Sequence, residues 1–116
     1  MILVVDHDPV VLEKARQVLN RDRQVLLASN PKQALDMVQS LAVKVVLVDV
    51  DIPGKGVGLI RALHEAVPDV RIIVTSSASP VSLPEKAESL GVVEVLSKPI
   101  TSDWKPVVER VRATYV

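Results

Sequence analysis

The sequence predicts a doubly wound α/β domain, a five-stranded parallel sheet with helices on both faces. Three observations carry that expectation. Apolar runs of three to five residues, rich in Val and Ile, recur five times along the 116-residue chain. Amphipathic stretches of roughly ten to fifteen residues separate them, the spacing of βα units. Within the runs apolar and polar residues do not alternate, as expected of parallel strands buried on both faces.

The runs are Ile2 to Val5, Val25 to Ala28, Val45 to Val48, Ile72 to Val74 and Val92 to Leu96. After the first, Asp8 and Pro9 read as a helix N-cap and first helical position. An Asp carboxylate accepts from orphan backbone N–H groups, and Pro lacks the one that would go unbonded there. Leu12, Ala15, Val18 and Leu19 follow at helical spacing. Asn30 and Pro31 repeat the device ahead of Ala34, Leu35 and Val38. Leu59, Ile60 and Leu63 stripe a third helix, which Pro68 ends. A short fourth helix is expected over residues 82–90, with Pro84 in its first turn and Gly91 just past its end. A fifth is expected over 103–114, where Pro106 unsettles the first turn. No linker, repeat or low-complexity tract interrupts the pattern, so residues 1–116 read as one domain.

Composition narrows the function classes. Apolar residues make up 48%, and 14 Lys and Arg balance 14 Asp and Glu, for a formal net charge of zero. Without excess Lys and Arg, neither nucleic acid nor an anionic membrane is an expected partner. The chain has no cysteine, which excludes disulfides and thiolate metal sites. No apolar run approaches membrane length and no leader pattern opens the chain, so a cytoplasmic location is expected. Trp104 and Tyr115 are the only aromatics, so the core must be aliphatic.

Chemistry in such sheets gathers at the carboxyl ends of the strands. The first run delivers Asp6, His7 and Asp8 there, and the third delivers Asp49 and Asp51. The fourth delivers Thr75, Ser76 and Ser77, and the fifth Ser97, Lys98 and Pro99. The second ends in Ala28, Ser29 and Asn30, which offer only capping chemistry. Acids from two strands, hydroxyls from a third and a lysine from a fourth would therefore meet at one edge.

With those residues in view, the chain resembles a response-regulator receiver domain of two-component signalling, over essentially its whole length. "ILVVDHDP" resembles the family's first strand and acidic pair, and "LVDVDIPGKG" the strand that ends in its phosphorylated aspartate. "IIVTSSA" resembles the switch threonine followed by a small residue, and "VLSKP" the lysine-proline pair. The resemblance implies the flavodoxin-like receiver fold with strand order 2-1-3-4-5. It also implies Asp49 as phosphoacceptor, Lys98 as the phosphate-contacting lysine and Thr75 as the switch hydroxyl. Asp6, Asp49 and the backbone carbonyl of Asp51 would hold Mg²⁺, with His7 a poor candidate for a further ligand. The Lys98–Pro99 peptide bond would be cis. The partner would be a sensor histidine kinase or phosphotransfer protein. The domain would not be an enzyme beyond its own phosphorylation and dephosphorylation.

The sequence also departs from the family pattern. His7 stands where a second acid is usual, and neutral imidazole is a poor substitute ligand for Mg²⁺, so weak binding is expected. Asp8, one residue on, is better employed as a cap. Val95 replaces the switch aromatic, and the "PGKG" loop reads as one residue short. These departures leave an alternative, a pseudo-receiver that works by protein–protein binding without phosphorylation. Asp51 also has a plainer reading as a solvated loop acid, and Thr75 as a strand-end cap. The His64–Glu65 pair reads as solvated helix surface, and Trp104 as an anchor of the last helix. An output domain beyond Val116, or a homodimer through the predicted fourth and fifth helices, is compatible with the sequence.

Overall fold

The computed structural model of the chain describes residues 1–19, 24–51, 56–77 and 87–114. Its five strands are β1 (Ile2–Val5), β2 (Val25–Ala28), β3 (Val45–Asp49), β4 (Arg71–Ser76) and β5 (Val92–Ser97). All neighbours pair in parallel, in the order β2-β1-β3-β4-β5. Every residue of β1 and β3 is buried, as their unbroken apolar runs predict.

Side chains alternate between two cores. Leu3, Val5, Val46, Val48, Ile72 and Val74 face α2 (Pro31–Ser40) and α3 (Gly56–Ala66), through Ala34, Val38, Leu59, Ile60 and Leu63. Ile2, Val4, Val45, Leu47 and Ile73 face α1 (Pro9–Leu19) and α4 (Trp104–Thr114), through Leu12, Ala15, Leu19, Trp104, Val108 and Val111. Apart from Trp104, both cores are aliphatic. The sheet reverses its winding between β1 and β3, and this is where such folds open a crevice at the strand ends.

The local signals act as read. Asp8 caps α1, its carboxylate accepting from Val10 N–H at 2.9 Å. Asn30 caps α2 by accepting from Gln33 N–H at 2.9 Å. Pro106 lies in the first turn of α4 without disturbing it, since a first-turn N–H has no helical acceptor to lose. The fourth helix differs from expectation. Residues 82–86 and Pro84 lie outside the described residues, and Ala87–Leu90 form a 3₁₀ turn. That turn closes on Gly91, whose φ is +89°.

Two glycines should respond oppositely to alanine. A Cβ at Gly91 would sit 2.8 Å from the Val70 carbonyl, in a left-handed conformation. Gly91→Ala should therefore cost about 1–3 kcal/mol. Gly58 lies in α3 with nothing within 4 Å of an added methyl, so Gly58→Ala should stabilise by roughly 0.5–1 kcal/mol. Urea unfolding of both variants checks the two signs.

Candidate functional site

The carboxyl edge of the sheet carries the site. Asp49 is the last residue of β3, and Asp6 directly follows β1 on the neighbouring strand. Both carboxylates are essentially withdrawn from water, at 1% exposure for Asp6 and 0% for Asp49. Lys98, just past β5, reaches both: its Nζ lies 2.8 Å from Asp6 Oδ2 and 3.2 Å from Asp49 Oδ1. Backbone N–H groups fix the remaining geometry. Asp8 N–H donates to Asp6 Oδ1 and Asp51 N–H to Asp49 Oδ1, each at 2.9 Å.

His7 faces this pocket. Its side chain is half exposed, and its Nδ1 lies 2.6 Å from Asp49 Oδ2 and 3.6 Å from Asp6 Oδ1. Thr75 is the register partner of Asp49 on β4 and is buried. The Lys98–Pro99 bond is cis. Asp6, Asp49, Thr75 and Lys98 thus gather at one edge, as the sequence predicts.

Asp51 differs from the plain reading of a solvated acid. Its Oδ1 accepts from the Ser76 hydroxyl at 2.9 Å. Its Oδ2 accepts from the Ser77 N–H at 2.8 Å and from the Ser77 hydroxyl at 3.0 Å. The carboxylate therefore ties the loop after β3 to the loop after β4. The sequence marks both serines as strand-end hydroxyls but assigns them no task. A pairing 25 residues away in the chain leaves no periodic trace.

The other predicted residues resolve plainly. Asp8 is a cap and lends only its N–H to the acid pair. Val95 is partly buried and packs on the α2–α3 side of the sheet. Trp104 is buried, and its Nε1–H donates to the Ser97 carbonyl at 3.3 Å. His64 is not the solvated residue expected: its Nδ1 is buried, without a hydrogen-bond partner among the described residues. Residues 53–55 of the "PGKG" loop lie outside the described residues.

Charge governs the pocket. Two buried carboxylates meet one ammonium, so these three side chains together carry one unbalanced negative charge when all are ionised. Burial pushes the Asp6 carboxyl up, reinforced by the Asp49 charge and opposed by Lys98 and the Asp8 N–H. Burial pulls the Lys98 ammonium down, but Asp6 and Asp49 outweigh it and hold the lysine above its ordinary value. At Asp51 burial also pushes upward. The donors Ser77 and Ser76, with the charge of Lys98, prevail and leave its carboxyl low. Asp6, His7 and Asp49 each offer a ligand atom within 4.8 Å of the others, a donor set that fits a divalent cation.

Comparison with known proteins agrees with this geometry. The chain matches the family described as "Response regulator receiver domain" over residues 2–106. It is 27% identical over 104 residues to the sporulation initiation phosphotransferase F of Bacillus subtilis (strain 168), covering 88% of this chain and 84% of that one. It is 35% identical over 103 residues to protein-glutamate methylesterase/protein-glutamine glutaminase 5 of Myxococcus xanthus (strain DK1622), covering 84% of this chain but only 30% of the relative. A response regulator from Burkholderia pseudomallei, solved with a phosphorylated aspartic acid, calcium ion and citrate, superposes with a TM-score of 0.77. It is 25% identical, and the match covers 97% of this chain and 71% of that one.

The Asp51 contacts carry a pH signature. A depressed carboxyl contributes stability that is present above its unfolded-state value and is lost as pH falls through the folded value. Asp51→Asn should therefore unfold at lower urea than the parent at pH 7. The gap should close as pH falls below about 4. Asp6, shifted the other way, is common to both proteins and drops out of the difference. A gap that stays constant with pH would remove Asp51 ionisation from the account.

Proposed function

The chain belongs to the response regulator receiver domain family, and we propose that Asp49 is its phosphoacceptor, taking a phosphoryl group from the phosphohistidine of a sensor histidine kinase or phosphotransfer protein. The observation that carries this reading is the convergence of Asp6, Asp49 and Lys98 at the strand ends, with Thr75 in register beside them.

Asp51 N–H and Lys98 hold Asp49 Oδ1, which leaves Oδ2 as the attacking oxygen. As its bond to phosphorus forms, the phosphorus–nitrogen bond of the donor breaks and the imidazole keeps the electron pair. The half-exposed His7 ring, 2.6 Å from Oδ2, would have to leave that oxygen for attack. Such transfer passes through a loose, anionic transition state, so placement and charge neutralisation do most of the work. Lys98 supplies the protein's own positive charge. Receiver domains hold a divalent ion at this acidic pocket. Here Asp6, Asp49 and the Asp51 carbonyl would hold Mg²⁺, weakly because His7 replaces an acid, and the ion would neutralise charge on the transferring group.

The acyl phosphate carries nearly two negative charges where the Asp49 carboxylate carried one, and it lies beside Thr75, whose hydroxyl can donate to it. Asp51, bonded at once to Asp49 and to Ser76 and Ser77, passes the change to the loop after β4. We take residues 1–116 as one cytoplasmic receiver domain, acting on an output domain or on a second copy. The phosphorylation-independent alternative is not favoured: His7 and Val95 are compatible with it, but it gives no task to the Asp49–Lys98 pair.

Among the described residues no helix is long and apolar enough to cross a membrane. Acetyl phosphate with Mg²⁺ should add one phosphoryl mass to the chain, read by intact mass, and Asp49→Asn should abolish it. Lys98→Ala should slow the reaction roughly 100-fold. His7→Asp should strengthen Mg²⁺ binding and speed self-phosphorylation, because a carboxylate brings a hard oxygen and a full charge. No adduct at saturating Mg²⁺ would overturn the phosphoacceptor reading in favour of the alternative.

A further inference from the structure

We propose that His7 Nδ1 is a metal ligand that turns this pocket into a site for a first-row transition ion, taking Zn²⁺ in preference to Mg²⁺. The proposal rests on the acidic pocket described above, but not on phosphoryl transfer.

The two carboxylates divide their oxygens between two sides. Asp6 Oδ2 and Asp49 Oδ1 face Lys98, at 2.8 and 3.2 Å. Their other oxygens, Asp6 Oδ1 and Asp49 Oδ2, face His7 Nδ1, at 3.6 and 2.6 Å. Lysine therefore occupies one side of the acid pair, and the other side presents two carboxylate oxygens and one imidazole nitrogen.

Those spacings suit one ion. Donors bound at about 2.1 Å stand roughly 3.0–3.4 Å apart in octahedral or tetrahedral arrangements. The 2.6 and 3.6 Å separations bracket that range, and the three residues each bring a ligand atom within 4.8 Å of the others, so side-chain movement closes the set on one ion. Both acids are already aimed by backbone N–H groups from Asp8 and Asp51, the outer support that ligating carboxylates require. In the ion-free pocket the 2.6 Å contact is a hydrogen bond that Nδ1–H donates to Asp49 Oδ2; an ion would take the place of that proton, the ring keeping its other proton on Nε2 of a half-exposed side chain.

The identity of the ion follows from donor chemistry. Mg²⁺ demands a near-octahedral shell of hard oxygens and gains little from imidazole. Zn²⁺ accepts mixed carboxylate and imidazole ligands in four-coordinate sites and lies far higher in general affinity for nitrogen donors. With no cysteine and only two histidines in the chain, imidazole ligation must come from His7 or His64. Among the described residues, His7 is the histidine that stands beside the acid pair.

The test uses the full chain. Chelator-competition titrations with Zn²⁺ and Mg²⁺ should give Zn²⁺ affinity about 1,000-fold or more above Mg²⁺. His7→Asn should cost roughly 100-fold in Zn²⁺ affinity and leave Mg²⁺ little changed. His64→Asn should change neither. Co²⁺ should give a visible absorption band in the parent that weakens in His7→Asn, and ring NMR signals of His7 but not His64 should move on Zn²⁺ addition. Equal Zn²⁺ affinity in parent and His7→Asn, or loss in His64→Asn instead, overturns the proposal. If an Asp49 adduct forms in Mg²⁺ without any Zn²⁺ preference, the metal inference fails and the phosphoacceptor reading stands. If a His7-dependent Zn²⁺ site appears without an adduct, the metal inference stands and the phosphoacceptor reading fails.

Discussion

The contact of Lys98 with the buried carboxylates of Asp6 and Asp49 is the constraint on which the rest of the arrangement depends. Two like charges on adjacent strands, roughly 4.8 Å apart and almost dry, repel strongly unless a cation joins them. The cation cannot come from a neighbour in sequence. It comes from β5, which the strand order places two strands from β3 and three from β1. That is about 10 and 14 Å at ordinary strand spacing, and only a long side chain carried on an extended strand end covers it. Removing one member of such a buried ionic group typically costs about 3–5 kcal/mol, because its partners remain charged and unmatched.

The surrounding structure serves that contact from several directions. Lys98 N–H donates to the Ser76 carbonyl at 2.9 Å, which extends the β4–β5 ladder to the lysine itself. The Trp104 indole holds the Ser97 carbonyl one residue earlier. On the other side, Asp8 caps α1 with its carboxylate while its N–H fixes Asp6. One residue thus joins the start of α1 to the acid pair, through its side chain on one side and its backbone on the other. An aliphatic core contributes no directed bonds of its own, so these polar contacts at the strand ends set the geometry.

Most of the fold was legible because it rests on periodicity. Five apolar runs, two Asx–Pro caps and three helical stripes each map onto an observed element. Asp6, Asp49, Thr75 and Lys98 were legible for a related reason: the first three directly follow an apolar run and Lys98 stands one residue further on, so their positions in the sheet follow from the strands. Where chemistry depends on lateral contact, the sequence was less informative. His7 reads as a departure from the expected acid, yet its ring lies 2.6 Å from Asp49. Asp51 reads as a solvated acid, but three hydrogen bonds from Ser76 and Ser77 engage it. A hydroxyl carries no hydrophobic pattern, and nothing local announces an acceptor 25 residues away. His64 misleads for the opposite reason. A polar residue on a helix stripe reads as surface, whereas packing beneath Gly91 buries its Nδ1.

Val95 in place of a ring raises the question of how a change at Asp49 would leave the pocket. A threonine moving with an aromatic needs both partners, and Trp104, the one aromatic among the described residues, is locked in the α1–α4 core. Polar contacts provide another route. Asp49 Oδ1 holds Asp51 N–H, and the Asp51 carboxylate holds Ser76 and Ser77, the two residues that follow Thr75. A chain of hydrogen bonds thus connects the acid at the end of β3 to the loop leaving β4. Each link is shorter than the reach of a ring and more sensitive to charge, since hydrogen bonds to an ionised carboxylate are among the stronger kind. Under the proposed phosphoacceptor role, new negative charge on Asp49 would bear on its direct contacts Lys98, His7 and the Asp51 N–H, and through Asp51 on Ser76 and Ser77. Under the proposed role, this hydrogen-bond chain offers a route from Asp49 to the end of β4 that needs no aromatic at position 95, because electrostatics across one shared acid can stand in for the displacement of a ring.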